Sequence, residues 1–310
     1  MTALNTSTPG AQPSNLPALV WHDITLPKGY QCGADGVFLL DEGDDGASIA
    51  VKLCSPLRVI GLYRRPDGTG WGKIIRLVDP EEREHDVLLD SADIAASAAL
   101  ALKRLIDRGL RLTSADAKAP VLALLQAWEP DELYTLVDHF GWVGEDTTSF
   151  MTLGGKVLGD ERIVPAEALR AHPKALCSGS LEDWKTAVAA RCLGNPLAML
   201  AVSLSLSGPI LRLMNFQSGG FHVRGLSSRG KSTLLGVAAS VWGAPAMMGS
   251  WRTTDNALEA VAARHNDQFL ALDELHQMDH RRLGAAIYML GNGHGKGRMG
   301  LHGETKAVME

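Results

Sequence analysis

The chain has 310 residues, enough for two domains or one large one. With 45% hydrophobic and 21% charged residues it can bury a core, which excludes disorder throughout. A formal net charge of −5 excludes a protein that coats nucleic acid through bulk positive charge, so contact with DNA or RNA must come from a local patch.

Residues 1–19 are rich in Ser, Thr, Asn and Pro and lack the charged-then-apolar order of a signal peptide. They predict a disordered tail. The four cysteines, Cys32, Cys54, Cys177 and Cys192, are far apart and form no CxxC pair. They read as reduced thiols of a cytoplasmic protein, and neither a disulfide framework nor a zinc ribbon is indicated. Residues 20–165 predict an α+β domain of unknown role. Its β-type runs Leu57 to Tyr63 and Gly72 to Val78 flank the turn chemistry of Pro66-Asp67-Gly68 and predict a hairpin. Ser91 then caps a helix running to Arg108, which Gly109 ends. The carboxylates around Asp41 to Asp45 and Glu81 to Glu84 fall in turn-like clusters, so no catalytic constellation stands out in this half.

Residues 166–215 predict a helical connector. Leu181, Trp184, Val188 and Cys192 recur at spacings of three and four, Gly194 breaks the run, and Pro196 opens a second, more buried helix. The apolar stretch from Leu197 to Met214 has the length of a membrane span. Its serines, the Gly208-Pro209 pair and Arg212 instead predict a buried helix of a soluble protein, with no membrane partner. In residues 216–310 short β-type runs alternate with helices: a strand Phe221 to Arg224, a helix Lys231 to Val241, a strand Ala246 to Trp251, a helix Asn256 to His265 capped by Thr253 or Thr254, and a strand Gln268 to Leu272. That order predicts a parallel sheet with right-handed crossovers and a ligand at the carboxyl ends of its strands.

Gly225-Leu226-Ser227-Ser228-Arg229-Gly230-Lys231-Ser232 fits the phosphate-loop pattern G-x-x-x-x-G-K-[ST] at every position. Its glycines let the backbone curl, so that the amides of the loop, through Ser228, Arg229 and Gly230 into Lys231, Ser232 and Thr233, point at phosphate oxygens. The following helix adds its positive N-terminal dipole. Lys231 would neutralise the β- and γ-phosphates and the Ser232 hydroxyl would ligate magnesium. Further on, the apolar run Phe269-Leu270-Ala271-Leu272 delivers Asp273 and Glu274. Asp273 would hold Mg2+ through its hydrated shell, and Glu274 would orient and deprotonate the attacking water. An extra βα unit between loop and acids, and the lack of an Asn-Lys-x-Asp run for guanine, favour ATP over GTP. A bare helix cap remains the alternative for each motif.

Between His280 and Gly303 there is no acid, whereas Arg281, Arg282, Lys296 and Arg298 are basic. A glycine-rich loop presenting Lys296 and Arg298 beside an ATPase core can grip a phosphodiester backbone; a solvated turn with incidental charge gives the same composition. His276 and His280 are four apart, but His-Gln-Met-Asp-His lacks the glutamate of a zinc protease.

Five blocks occurring in order carry a family resemblance: Gly225 through Thr233, Ala239-Ser240-Val241-Trp242-Gly243, Ser250-Trp251-Arg252-Thr253-Thr254, Leu272-Asp273-Glu274-Leu275, and Tyr288 through Lys296. Together they resemble the domain-of-unknown-function family 927, P-loop proteins of phages, plasmids and integrated elements often encoded beside primase-like domains. The resemblance implies an ATPase similar to phage and plasmid replicative helicases, acting on single-stranded or forked DNA, with a primase partner and a homo-oligomeric ring in the full-length protein. Lys231, Ser232, Asp273 and Glu274 match the family's phosphate and magnesium motifs, and Lys296 with Arg298 matches a DNA-contacting hairpin of related ring helicases. Members run on past this point, with a sensor strand and an arginine that serves a neighbouring subunit, whereas this chain stops at Glu310. The P-loop NTPase core is therefore expected to be incomplete, a fragment or truncated product that binds nucleotide better than it cleaves it. A nucleotide-binding scaffold or degenerate non-catalytic module is the alternative.

Overall fold

The computed structural model describes residues 25–42, 48–144, 147–160, 162–167, 169, 175, 179–292, 298–299 and 305–306. The chain divides into two compact units, Met1–Asp138 with Glu161–Ala168, and His139–Asp160 with Leu169–Glu310. This differs from the boundaries expected from sequence: residues 139–160 and the helical connector belong with the loop and the acidic strand.

The first unit opens with β1 (Tyr30–Gly33), β2 (Gly36–Glu42) and β3 (Ser48–Cys54), an antiparallel sheet. The strands β4 (Leu57–Arg64), β5 (Gly72–Val78) and β6 (Glu84–Asp90) follow, then α1 (Ser91–Ala96), α2 (Ala98–Asp107), α3 (Lys118–Ala127) and β7 (Leu133–Val137). After β8 (Gly141–Val143), β9 (Ser149–Met151) and β10 (Val157–Leu158) of the second unit, β11 (Ile163–Pro165) returns to give a five-stranded sheet of order β11-β7-β4-β5-β6. Its β4–β5 and β5–β6 pairs are antiparallel, and β4–β7 and β7–β11 are parallel.

The expected hairpin is β4–β5. Asp67 closes its turn by accepting bonds from the Thr69 amide at 2.9 Å and hydroxyl at 2.7 Å. The expected single helix from Ser91 to Arg108 is two. Ser97 adopts φ −146°, and its hydroxyl accepts the Leu100 amide, so it leaves α1 to cap α2. One face of the sheet packs Leu57, Val59, Ile75, Leu77, Val87 and Leu89 against Leu102, Leu105, Leu124 and Leu125 of the helices. The buried Lys73 projects from β5 to the end of α3, donating to the carbonyls of Leu125, Gln126 and Trp128 at 2.8–3.0 Å. A cation there satisfies helix-end acceptors and favours the negative dipole end. Burial pushes the thiols of Cys32 and Cys54 up to about 12, so both remain protonated at neutral pH.

The second unit continues with a helical run made of α4 (Leu181–Trp184), a π-helical turn Lys185–Ala189 and α5 (Ala190–Cys192), then α6 (Pro196–Leu213) and α7 (Lys231–Ala239). Beyond these come β12 (Gly249–Ser250), α8 (Asp255–Arg264), β13 (Leu272–Asp273), α9 (His280–Asn292), and the antiparallel pair β14 (Arg298–Met299) and β15 (Thr305–Lys306). The expected cap forms at Thr254, which accepts the Ala257 amide, and Asn195, which the sequence reading did not single out, accepts the Ala198 amide ahead of Pro196. The molecule is thus a mixed α/β protein whose sheets include parallel strands.

Two expectations fail here. Phe221 to Arg224 forms no strand and is exposed. The parallel sheet of this region is the pair β12–β13 alone among the described residues, each strand two residues long. The runs Ala246 to Trp251 and Gln268 to Leu272 shrink correspondingly to β12 and β13, with the register Gly249↔Leu272 and Ser250↔Asp273. Helix α6, expected to be buried, is mostly exposed. At 18 residues it is long and apolar enough to cross a membrane, yet only 17% of it is buried.

In the first unit the Asp79 side chain is nearly enclosed, which alone would raise its pKa. Bonds from His85, from the Arg83 amide and guanidinium and from the Glu81 amide outweigh this and hold the carboxyl well below the usual range. A depressed folded-state pKa contributes stability above the unfolded value of about 3.9 and loses it as pH falls below that. The urea midpoint of the parent should therefore drop as pH is lowered from 5 towards 2, and Asp79→Asn should flatten that drop. Parallel pH profiles of the two proteins would refute the assignment.

Candidate functional site

The glycine-rich loop and the acidic pair meet at the carboxyl end of β13. Gly230 adopts φ +79°, a left-handed conformation that glycine takes without strain, and immediately precedes α7. No side chain among the described residues caps this nine-residue helix, which leaves its first-turn amides and positive dipole end open to an external acceptor. A Cβ at Gly225 or Gly230 would meet nothing within 4 Å, so no crowding at either position demands glycine. Ser228 also takes a positive φ of 57°, and Arg229 and Thr233 are exposed.

Lys231 folds its ammonium back over the loop onto the Leu226 carbonyl at 2.7 Å. Ser232, the next residue, donates its hydroxyl to Asp273 Oδ2 at 2.7 Å, across 41 residues of sequence. The other oxygen, Asp273 Oδ1, accepts the Glu274 amide at 2.7 Å. Glu274 has left-handed backbone, φ 62° and ψ 48°, and its Oε2 accepts the Gln277 side-chain amide at 2.6 Å. Ser232, Asp273, Lys231 and the loop are thus brought together, while Glu274 shares the strand end and is held by Gln277. A hydroxyl and a carboxylate at this spacing form a hard-oxygen donor set of the kind that magnesium selects.

The parts are placed by contacts that sequence reading missed. Pro209 lies inside α6, and lacking an amide hydrogen it leaves the Ser205 carbonyl without its helical donor. The indole of Trp242, just after α7, supplies one at 2.8 Å, and the Ser205 hydroxyl donates to the Ala238 carbonyl of α7 at 2.6 Å. Trp184 donates to Ser240 at 3.0 Å. Two of these three donors are tryptophans, and no local pattern announces where an indole N–H will find its acceptor.

The strand side is fixed in a similar way. Asn266, Asp267 and Gln268 lead into the acidic strand, and each bonds the backbone of segment 139–153: Asn266 Nδ2 to the Phe140 carbonyl at 3.1 Å, Asp267 Oδ2 from the Trp142 amide at 2.9 Å, and Gln268 Oε1 from the Leu153 amide at 3.0 Å. Trp142 Nε1 also donates to the Pro209 carbonyl at 2.8 Å, and the rings of Trp142 and Phe150 meet edge to face at 5.1 Å. Lys296 and the side chain of Arg298 lie outside the described residues; the backbone of Arg298 pairs with Lys306.

The sequence profile of the domain of unknown function DUF927 matches residues 33–310. The chain belongs to the DUF927 family. No curated protein gives a significant match. Among solved structures, the protein described as "SCCmec type IV Cch - active helicase" is similar to this DUF927 chain with a TM-score of 0.64 at 21% identity, over 87% of this chain and 52% of that one. At this identity the likeness is one of fold, and the chain spans about half the length of that protein.

Replacing Trp242 by Phe keeps an aromatic ring and removes the donor to Ser205. Leaving that acceptor unpaired should cost about 1–3 kcal/mol, read as a lowered melting temperature. Pro209→Ala restores a backbone donor to the same carbonyl, so adding it should recover part of the loss. A double variant no more stable than Trp242→Phe alone would show that the indole acts through bulk.

Proposed function

We propose that the chain is the ATP-binding and ATP-hydrolysing part of a helicase-like motor that acts on DNA in mobile-element replication. The observation that carries this reading is the 2.7 Å contact between Ser232 and Asp273, which joins a G-x-x-x-x-G-K-[ST] loop to an apolar strand ending in Asp-Glu. The fold likeness to a helicase from a mobile element supports it.

On this reading the amides of the loop and the first turn of α7, with Gly225, Ser228, Arg229, Gly230 and Thr233 contributing backbone, bind the phosphates. The Lys231 ammonium leaves the Leu226 carbonyl for phosphate oxygens, exchanging a neutral acceptor for charged ones. Ser232 and Asp273 hold magnesium, and the ion, when bound, neutralises charge that builds on the phosphate oxygens. Glu274 accepts a proton from the attacking water. Lys296 and Arg298 contact the DNA backbone. A primase partner, a ring of subunits and a cytoplasmic location belong to the same proposal for the full-length protein.

A second reading, a nucleotide-binding scaffold without turnover, is favoured by one observation: the parallel sheet at the site has two strands of two residues. Phosphate release separates the two readings, since a motor is stimulated by single-stranded DNA and a scaffold is not.

Lys231→Ala should abolish magnesium-ATP binding in titration calorimetry. Glu274→Gln should bind ATP like the parent while turnover drops about a hundredfold or more. ATP binding by the Lys231 variant equal to that of the parent would remove the loop from the site.

Replacing Lys296 and Arg298 together by Ala should flatten the dependence of single-stranded DNA affinity on log salt by roughly 1.4, the contribution of two phosphate contacts. An unchanged slope and affinity would leave these two residues without a role.

A further inference from the structure

We propose that Gln277 is a positioning residue for Glu274, setting the direction of the carboxylate that receives the water proton. This rests on the reading of Glu274 given above. Gln277 contacts Glu274 twice: its amide N–H donates to the Glu274 carbonyl at 2.9 Å, and its side-chain Nε2 donates to Oε2 at 2.6 Å. Glu274 precedes and Gln277 ends a 3-10 turn, Leu275–Gln277.

That turn is anchored at both ends. On one side the Glu274 amide is held by Asp273 Oδ1, the same carboxylate that takes the Ser232 hydroxyl. On the other, Met278 is buried in a cluster with Leu258 and Ala286, and Asp279 accepts the Arg281 amide at 2.9 Å at the start of α9. A carboxylate whose backbone is held left-handed would otherwise sweep through several rotamers; one fixed donor selects among them.

The chemistry of the donor also fits. A carboxamide is neutral and does not titrate, so it orients the acid without cancelling its charge, as Lys or Arg in its place would. It occupies Oε2 and leaves Oε1 to accept from water. Asn would fall one methylene short. In the run His-Gln-Met-Asp-His nothing singles out Gln277 except its place three residues after Glu274.

Gln277→Met keeps the side chain's length and bulk and removes the donor. Its kcat for ATP should fall about tenfold, measured in single-turnover reactions, with KM and the dissociation constant for ATP within twofold of the parent. An unchanged or raised kcat, or a parallel loss of binding, would overturn the proposal. A second measurement needs no nucleotide, metal or turnover. In protein labelled with 15N-glutamine, the side-chain NH2 pair that vanishes in Gln277→Met should shift when Glu274 is replaced by Ala. Absence of a shift would show that the bond does not exist in solution and would overturn the proposal whatever the activity. Failure of the Lys231→Ala binding test instead overturns the nucleotide reading and leaves the Gln277–Glu274 bond measurable.

Discussion

The hydroxyl of Ser232 and the carboxylate of Asp273 stand 41 residues apart in sequence and 2.7 Å apart in space, and everything else at the site is arranged to keep them there. A hydrogen bond of this length between side chains that remain accessible to water is worth about 1 kcal/mol, far too little to assemble the helix and strand that carry them. The placement must come from elsewhere. On the helix side it comes from the Ser205–Ala238, Trp242–Ser205 and Trp184–Ser240 bonds, which fix α7 against α6 and the preceding helical run. On the strand side it comes from Asn266, Asp267 and Gln268, which fasten the approach to β13 onto segment 139–153. Pro209 joins the two sets, because its carbonyl accepts from Trp142 and its missing amide frees the carbonyl that Trp242 takes.

The way α6 packs explains why a composition-based reading misplaces it. Its buried residues are Ala198, Ala201 and Ser205, at spacings of three and four, and one turn further Gly208 comes so close to the 267–268 backbone that a Cβ there would stand 3.0 Å from the Asp267 carbonyl oxygen. The inward face is therefore the face of small residues, which lets backbones approach and polar atoms bond across the contact. Leu197, Leu200, Leu206, Ile210 and Leu213 point outward. A mean over the helix sees abundant leucine and predicts burial; the pattern of small residues at helical spacing holds the directional information.

Legibility in the sequence follows the range of the interaction. The β4–β5 hairpin, the Thr254 cap, the start of α7 and the convergence of Gly225–Ser232 with Asp273 all rest on chemistry within a few residues, or on a motif pair whose spacing encodes a fold. The break at Ser97 is local too, and it was missed because a serine inside an apolar period looks tolerable until its hydroxyl competes for the backbone. The absent strand at Phe221 to Arg224 was not legible, because β-type composition in a short run does not report whether it pairs with another strand. The inclusion of residues 139–160 in the second unit depends on side chains of 266–268 more than a hundred residues away, which no periodicity reports.

Three charged groups at the site already have partners inside the protein: Lys231 on the Leu226 carbonyl, Asp273 on the Ser232 hydroxyl and the Glu274 amide, Glu274 on Gln277. A ligand must therefore offer more than it displaces. For Lys231 the displaced acceptor is a neutral carbonyl, and an anionic oxygen forms a charge-assisted bond roughly twice as strong, so the exchange favours phosphate and gives a neutral ligand little advantage. For Asp273 the displaced donors are neutral, and a divalent cation is the class of ligand that repays their loss most fully. Under the proposed function, self-satisfaction would act as a filter: the contacts that hold the site in order would raise the threshold for occupancy, and a polyanion accompanied by a hard cation would clear it on both sides at once.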